Sequence, residues 1–508
     1  MTVGLRLTTR RTVPLAMLAG ASTVLAFAPQ GWWMLQVLAL AVLFLLTLHA
    51  SSTRDAFLLG WGFAFAALGT GTHWLYVSMH DYGHMPGWIA ALAVLLLAAG
   101  LGLFYGSALA LAHRLSRGRS AAVTALLLLP ACWMLADWLR AWIFTGFPWL
   151  ATGYAHSDSP LAGFAPLVGV YGVGWLAAVL AATLSVSLAA RRPQTMALVL
   201  LVLIPASGQA LQGMTWTQPH GDAISVRLLQ GNVPQDMKFS REQLAASLSL
   251  YQRLIREQAA DLIVTPETAL PMLVSQLPDG YLDGLAQFSQ QSGSTLLVGV
   301  PWTTAPGVYF NSVIGIADGK PVAYRYDKHH LVPFGEFIPP GARWFVDLMQ
   351  MPLGDFGRGD LIQPPFGVKD QAVLPNICYE DLFGEEIAAQ IAAAADRGTP
   401  VPSVLLNISN IAWFGDTIAL PQHLQVSRIR SLETGRPMLR ATNTGATAVI
   451  DAHGQVTALL PPFTEGALTA QVQGMQGLTP YVRFGNTLPV GLAFAILLAV
   501  WLIGRRPS

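Results

Sequence analysis

Seven runs of mostly apolar residues, each near the length that crosses a bilayer, precede residue 213, and an eighth closes the chain. They cover 13–28, 32–49, 56–77, 88–112, 121–142, 161–190, 195–211 and 487–503. About 20 apolar residues in a helix span the ~30 Å hydrocarbon core of a bilayer. Backbone groups in that core find no water, so such runs are confined to helices that satisfy their own hydrogen bonds. The first run is short, and the sixth is long enough to tilt or break. Composition points the same way. Hydrophobic residues make up 53 % of the 508 and charged residues 11 %, against about 25 % charged in a soluble domain. A water-soluble globule, a disordered chain, a collagen and a small disulfide scaffold are excluded. What remains is a membrane α-helical bundle of eight spans with an α/β domain attached.

Net charge is +1, which offers no basic face to a nucleic acid. The two cysteines, Cys132 and Cys378, are too few for a disulfide framework and lie in no zinc spacing. Orientation follows from the short loops. Arg6, Arg10 and Arg11 precede the first span, Arg54 separates the second from the third, and Arg114, Arg117 and Arg119 the fourth from the fifth. Arg191 and Arg192 lie between the sixth and seventh, and Arg505 and Arg506 follow the last. If the spans alternate, all of these fall on one side, and the other side's short loops offer only Arg140. The arginine-rich side is then cytoplasmic, with both termini. An odd number of spans before residue 213 places the α/β part outside, in the periplasm of a Gram-negative cell. The expected division is a seven-span membrane domain at 1–212, a catalytic domain at 213–485, and a final span with its tail at 486–508. Arg10-Arg11, an apolar run and Ala26-Phe27-Ala28 imitate a cleavable signal peptide. The six spans that follow almost at once favour a retained first span, and cleavage would not move the later ones.

From 213 onward strand and helix signals alternate. Ile224–Gln230 reads as a strand and 243–259 as a helix. Further strands are expected at 262–265, 296–300, 309–316, 321–326, 372–377 and 403–408, with Asp318-Gly319 as a hairpin turn. A last hairpin joins 438–443 to 446–451 around Thr444-Gly445. Helices between strands imply layered packing.

Three segments put a polar residue where a strand ends: Thr265-Pro266-Glu267, Tyr326-Asp327-Lys328-His329-His330, and Asn376-Ile377-Cys378-Tyr379-Glu380-Asp381. Strand C-termini are where α/β folds gather reacting groups. A carboxylate, an amine and a thiol brought together there support acyl transfer through a thioester. A buried inert thiol is the default for a lone cysteine, but the setting of Cys378 reverses that. Cys132, inside the fifth span, reads as a packing residue. His329-His330 lack a third ligand pattern such as HExxH and read as structural or surface groups, so no metal or cofactor is expected. Asp137 and Arg140 are read as flanking the interface or pairing, and Trp74, Tyr76 and Trp149 as aromatic-belt anchors.

These segments resemble the nitrilase (carbon–nitrogen hydrolase) superfamily, whose Glu, Lys, Cys order matches Glu267, Lys328 and Cys378. The resemblance covers about 222–470 and implies an α-β-β-α sandwich. With the spans, and with Gln230-Gly231-Asn232-Val233-Pro234-Gln235, Thr145-Gly146-Phe147-Pro148-Trp149 and Val332-Pro333-Phe334-Gly335-Glu336, nearly the whole chain resembles the apolipoprotein N-acyltransferase family. That resemblance implies a bacterial inner-membrane enzyme that moves an acyl chain from a phospholipid to the cysteine. The chain then passes to the α-amino group of a diacylglyceryl-cysteine apolipoprotein. It makes Glu267 the base and Lys328, with the backbone N–H of Tyr379, the oxyanion donor. Glu336, Tyr379 and Glu380 support them. Nothing demands more than a monomer.

Residues 344–351, followed by Gly354, Gly357 and Gly359, read equally as a gate that dips toward the bilayer and as ordinary core. The same holds for 411–415 as a second wall of the site. Two other functions compete. A membrane-tethered amidase would use the same triad but leave the spans unexplained. A transporter or receptor would need charged, broken helices along a path and would leave the triad idle.

Overall fold

The computed structural model describes residues 9–189, 195–235, 241–338 and 355–503. The expected gate at 344–351, its first glycine Gly354, and Arg6, Arg191, Arg192, Arg505 and Arg506 lie outside the described residues. The chain divides into two compact units. One comprises Met1–Tyr76, Pro86–Met214 and Phe484–Ser508, the other Val77–Met85 and Thr215–Arg483.

The first unit is helical. Its helices are α1 (Thr9–Ser22), α2 (Trp33–Leu48), α3 (Thr53–Gly71), α4 (Gly87–Leu115), α5 (Leu129–Arg140), α6 (Ala165–Ala189) and α7 (Thr195–Gln212), with Thr487–Ile503 at the chain's end. Among the described residues, four segments are long and apolar enough to cross a membrane: Gly87–Leu115, Ala121–Arg140, Pro160–Leu188 and Thr195–Gln212. Trp33–Leu48 and Thr487–Ile503 are shorter apolar helices. Helix α3 begins before its apolar run because the Ser52 side chain caps it, accepting from Asp55 N at 3.1 Å. The sixth run does break. It opens with a 3₁₀ turn, Pro160–Phe164, and kinks at Gly169, whose φ is +63°. Leu95, Leu96 and Leu103 on α4, Val202 and Leu203 on α7, and Leu492 and Leu498 on the last helix are exposed. Bands of this kind mark surfaces that meet lipid or another protein.

Inside this unit Asp137 and Arg140 are paired. Arg140 is fully buried and donates to the carbonyls of Phe147 (2.5 Å) and Trp149 (2.7 Å), to the Tyr105 hydroxyl (3.1 Å) and to Asp137 (3.4 Å). Asp137 accepts from Thr152 N at 2.9 Å and from the Tyr105 hydroxyl. The pair therefore fastens the 147–152 loop to helices α4 and α5.

The second unit holds two six-stranded sheets. In chain order the first contains β1 (Ile224–Gln230), β2 (Leu262–Val264), β3 (Thr295–Ala305), β4 (Val308–Ala317) and β5 (Lys320–Asp327). The second contains β6 (Phe366–Val368), β7 (Gln371–Ile377), β8 (Val404–Ser409), β9 (Met438–Thr442), β10 (Ala448–Ile450) and β11 (Val456–Leu459). β12 (Gly466–Val472) returns to the first sheet and pairs antiparallel with β1. The orders are β12-β1-β2-β3-β4-β5 and β11-β10-β9-β8-β7-β6, with β1-β2-β3 and β7-β8-β9 parallel.

Period-two alternation assigns the faces. Val226, Leu228, Leu262, Val264 and Leu297 from one sheet meet Val373, Ile377, Val404, Leu406 and Ile408 from the other. The opposite faces take helices. Leu229, Ile263, Leu296 and Val298 pack on Tyr251 and Leu254 of α8 (Arg241–Arg256) and on Leu285 of α9 (Tyr281–Ser292). Leu374, Leu405 and Met438 pack on Ile387 and Ile391 of α10 (Gly384–Arg397). The result is an α-β-β-α sandwich, with α11 (Ala419–Thr434) also on the second sheet's outer side.

Candidate active site

Each of the three candidate residues, Glu267, Lys328 and Cys378, follows a strand. After β2 the chain turns out of the first sheet through Thr265-Pro266-Glu267. The turn lies so close to β3 that a Cβ at Gly299 would stand 2.2 Å from Pro266 O, so only glycine fits there. Glu267 Oε1 accepts from Asn311 Nδ2 at 2.7 Å and faces Lys328 Nζ at 3.5 Å. Its Oε2 accepts from the Asn410 backbone N–H at 2.8 Å.

Lys328 follows β5. Its N–H donates to Asn311 O and its carbonyl accepts from Gly359 N, both at 2.9 Å. The side chain is 1 % exposed, and Nζ lies 2.8 Å from Glu336 Oε1. Burial pulls the ammonium down, but Glu336, Glu267 and Cys378 outweigh it and hold the amine above its ordinary range. Lys328 is thus a buried cation set between two carboxylates. Glu336 Oε1 also accepts from Asn311 Nδ2 at 2.7 Å, and its Oε2 from Val332 N at 2.9 Å.

Cys378 follows β7 and opens a 3₁₀ turn, Cys378–Leu382. It is half-buried, with φ at +53°, a conformation that costs an L-residue about 1–2 kcal/mol. Its carbonyl accepts from Asn407 Nδ2 at 3.0 Å. Burial pushes the thiol up, the negative charge of Glu267 pushes it further, and Lys328 opposes both. The net result lies well above a free thiol. The sulfur is therefore held as a thiol, and a thiolate would form there only if a base took its proton.

Glu380 joins the two sheets. Its Oε1 accepts from His329 N (2.6 Å) and His330 N (3.1 Å), its Oε2 from Ile377 N (2.6 Å) and the Tyr326 hydroxyl (3.0 Å). Burial pushes this carboxyl up to about 7, against Ile377 N–H, Lys328 and the histidine amides. The Tyr379 ring packs edge-on to Phe383, with centroids 5.3 Å apart.

Glu267, Lys328 and Cys378 thus follow strand ends, with Glu336, Tyr379 and Glu380 in the segments after them; Lys328 pairs with Glu267 and Glu336, and Glu380 holds the backbone of His329, His330 and Ile377. Asn311 and the Asn410 N–H were missed. The signal for Asn311 was an amide in the middle of an otherwise apolar strand; a backbone donor leaves none. The histidines are committed elsewhere. His329 Nδ1 contacts Gly359 O and His330 Nδ1 contacts Glu386 Oε1, each at 2.8 Å. Among the described residues no group of three or more His, Cys, Asp or Glu could hold a metal. Cys132 is buried in the helical core. Of the expected second wall, Ile411 and Ala412 are core, while Trp413 is 40 % exposed and meets the Tyr82 ring edge-on.

Comparison with known proteins bears on both units. Residues 19–183 match the apolipoprotein N-acyltransferase N-terminal domain, and 225–481 match carbon–nitrogen hydrolase. The chain is 52 % identical to the apolipoprotein N-acyltransferase of Ralstonia nicotianae over 98 % of this chain and 94 % of that protein. It is 44 % identical to that of Bordetella bronchiseptica over 96 % of each. Among solved structures, Nit3 of Saccharomyces cerevisiae, of the nitrilase superfamily, is similar over 50 % of this chain and 91 % of that one, with 17 % identity and a TM-score of 0.37. The chain belongs to the apolipoprotein N-acyltransferase family.

Proposed function

We propose that the protein transfers an acyl chain from a membrane phospholipid to the N-terminal amine of a diacylglyceryl-cysteine apolipoprotein, with Cys378 carrying the chain between them. The observation that carries this reading is the buried ammonium of Lys328, set between the carboxylates of Glu267 and Glu336 and feeling the charge of Cys378 from the facing sheet.

In the first half-reaction Glu267 takes the thiol proton as sulfur attacks the ester carbonyl. Lys328 and the Tyr379 N–H stabilise the oxyanion, and one such donor is typically worth ~10²–10³ in rate. The carbon–oxygen ester bond breaks, and the lysophospholipid leaves with the proton from Glu267. In the second half the acceptor amine attacks the thioester, Glu267 takes a proton from it, and the carbon–sulfur bond breaks to restore the thiol. Glu336 positions Lys328, and Glu380 fixes the turn that holds Cys378.

The helices serve this chemistry. Drawing a sixteen-carbon chain into water costs on the order of 12 kcal/mol, which a membrane-seated enzyme avoids. The reading takes all eight helices as spans, with both termini cytoplasmic and the catalytic unit in the periplasm, on the surface of the bacterial inner membrane. It takes 1–212 and 486–508 as the membrane part and 213–485 as the catalytic part, working as a monomer.

Mass spectrometry tests it. Purified protein given phospholipid gains one acyl mass on Cys378, which Cys378→Ala does not, and an apolipoprotein peptide discharges it. Ammonia release from small amides without lipid, and an unmodified Cys378 under turnover, would point to an amidase instead.

A further inference from the structure

A second polar cluster lies behind Cys378, on the helix-covered side of the second sheet. It consists of Asp381 from the Cys378–Leu382 turn, His423 and Ser427 from α11, and Arg440 from β9, none more than 1 % exposed. Asp381 Oδ1 lies 2.8 Å from His423 Nε2, and Oδ2 accepts from Ser427 Oγ (2.5 Å) and Arg440 Nη1 (3.0 Å). Arg440 also donates to the Ser427 hydroxyl and, through Nη2 at 3.1 Å, to His423 Nδ1.

A guanidinium can only donate. His423 Nδ1 is therefore the acceptor in that contact and Nε2 donates to Asp381, which locks the ring in one orientation. Burial pushes the Asp381 carboxyl up, but His423, Arg440 and Ser427 hold it below its ordinary value. The cluster thus sets a fixed anion and a fixed cation beside the nucleophile. Buried ion pairs add little stability over apolar packing of the same volume. What this one supplies is orientation and a field. The charge of Asp381 disfavours the thiolate, and that of Arg440 attracts it.

We propose that Asp381, His423, Ser427 and Arg440 form a positioning network for the acyl-carrying cysteine, pinning its strained turn and setting through two opposed charges how readily its sulfur ionises. This rests on reading Cys378 as the nucleophile.

The test is the pH dependence of Cys378 alkylation by iodoacetamide, a neutral probe, followed by mass spectrometry on the full chain in detergent. Among the described residues, the other charged groups that act most on the thiol are Glu267, Lys328 and Glu336, and they stay in place. Arg440→Gln removes the cation and moves the midpoint up, on the order of one pH unit. Asp381→Asn removes the anion and moves it down. A role confined to holding the fold would shift both variants in one direction, so shifts of the same sign, or none, overturn the proposal. His423→Gln, which donates and accepts without ionising, keeps the wild-type midpoint and restores the alkylation rate lost in His423→Leu. Should a charge variant not accumulate, that pair decides, and failure of glutamine to restore the rate overturns the network. Absence of a phospholipid-derived acyl mass on wild-type Cys378 would instead overturn the nucleophile reading, leaving the opposed shifts to judge the network alone.

Discussion

Lys328 Nζ lies 2.8 Å from Glu336 and 3.5 Å from Glu267, so the shorter ion pair is with the supporting carboxylate, not with the proposed base. Glu336 is then the main anchor of the ammonium. Glu336→Gln keeps a hydrogen-bond acceptor but removes the charge that best offsets burial, and the amine's pKa falls. The alkaline limb of the kcat/KM–pH profile should move to lower pH, with a rate loss of about 10²-fold. An unmoved alkaline limb would assign the charge balance to Glu267 alone.

Cys378 sits at φ +53°, which glycine adopts without strain. Cys378→Gly and Cys378→Ala should both lose acyl transfer entirely, yet the glycine variant should be the more stable by about 1 kcal/mol. Thermal unfolding of the two in one detergent measures the difference. Equal midpoints would mean that the turn relaxes once sulfur is gone.

Glu380 links proton binding to stability. Its carboxyl ionises near 7, up from the ordinary 4.5. The folded chain therefore binds the proton more tightly than the unfolded chain. This contribution is fully present below pH ~4.5 and is lost as pH rises through 7. Relative to Glu380→Gln, the wild-type melting temperature should fall between pH 5 and 7.5. A constant difference across that range would show that the group is already ionised throughout.

Asn311 donates to Glu267 and Glu336 from one amide nitrogen, at 2.7 Å each. It holds the two carboxylates at a set distance on either side of the lysine. Asn311→Leu should lower kcat by ~10²-fold with little change in KM, and Asn311→Asp, a third negative charge, by more. A change in KM alone would place Asn311 in substrate binding.

In the helical unit, Arg140→Met leaves Asp137 buried without its cation and should destabilise the protein by about 3–5 kcal/mol. The double variant with Asp137→Asn should recover much of that. Detergent melting curves of the three proteins check it.

The strands that carry the triad were legible because each is a short apolar run ending in a turn, and Ile224–Gln230 was found to the residue. Helices α9, α10 and α11 were not. Gly384–Arg397 is rich in alanine, and buried polar residues such as Gln422, His423, Ser427 and Arg430 blur the apolar stripe of Ala419–Thr434. The return of β12 to the first sheet was also missed, since Gly466–Val472 alternates weakly and its partner lies more than two hundred residues away. At the site, the motifs named the carboxylate, the amine and the thiol that the strand ends carry. The groups that aim them were illegible, because a backbone N–H, a strand amide or an orientation-locked imidazole acquires its role only when distant segments meet.

Glu380, on the sheet of the thiol, grips the chain around Lys328, while Glu267, on the sheet of the amine, is gripped in return by Asn410. The apolar seam between the sheets is close-packed but sets no direction for a polar group. The crossed polar clasps do, and they fix the relative placement of the sulfur, the carboxylate and the ammonium from the rim of the sandwich.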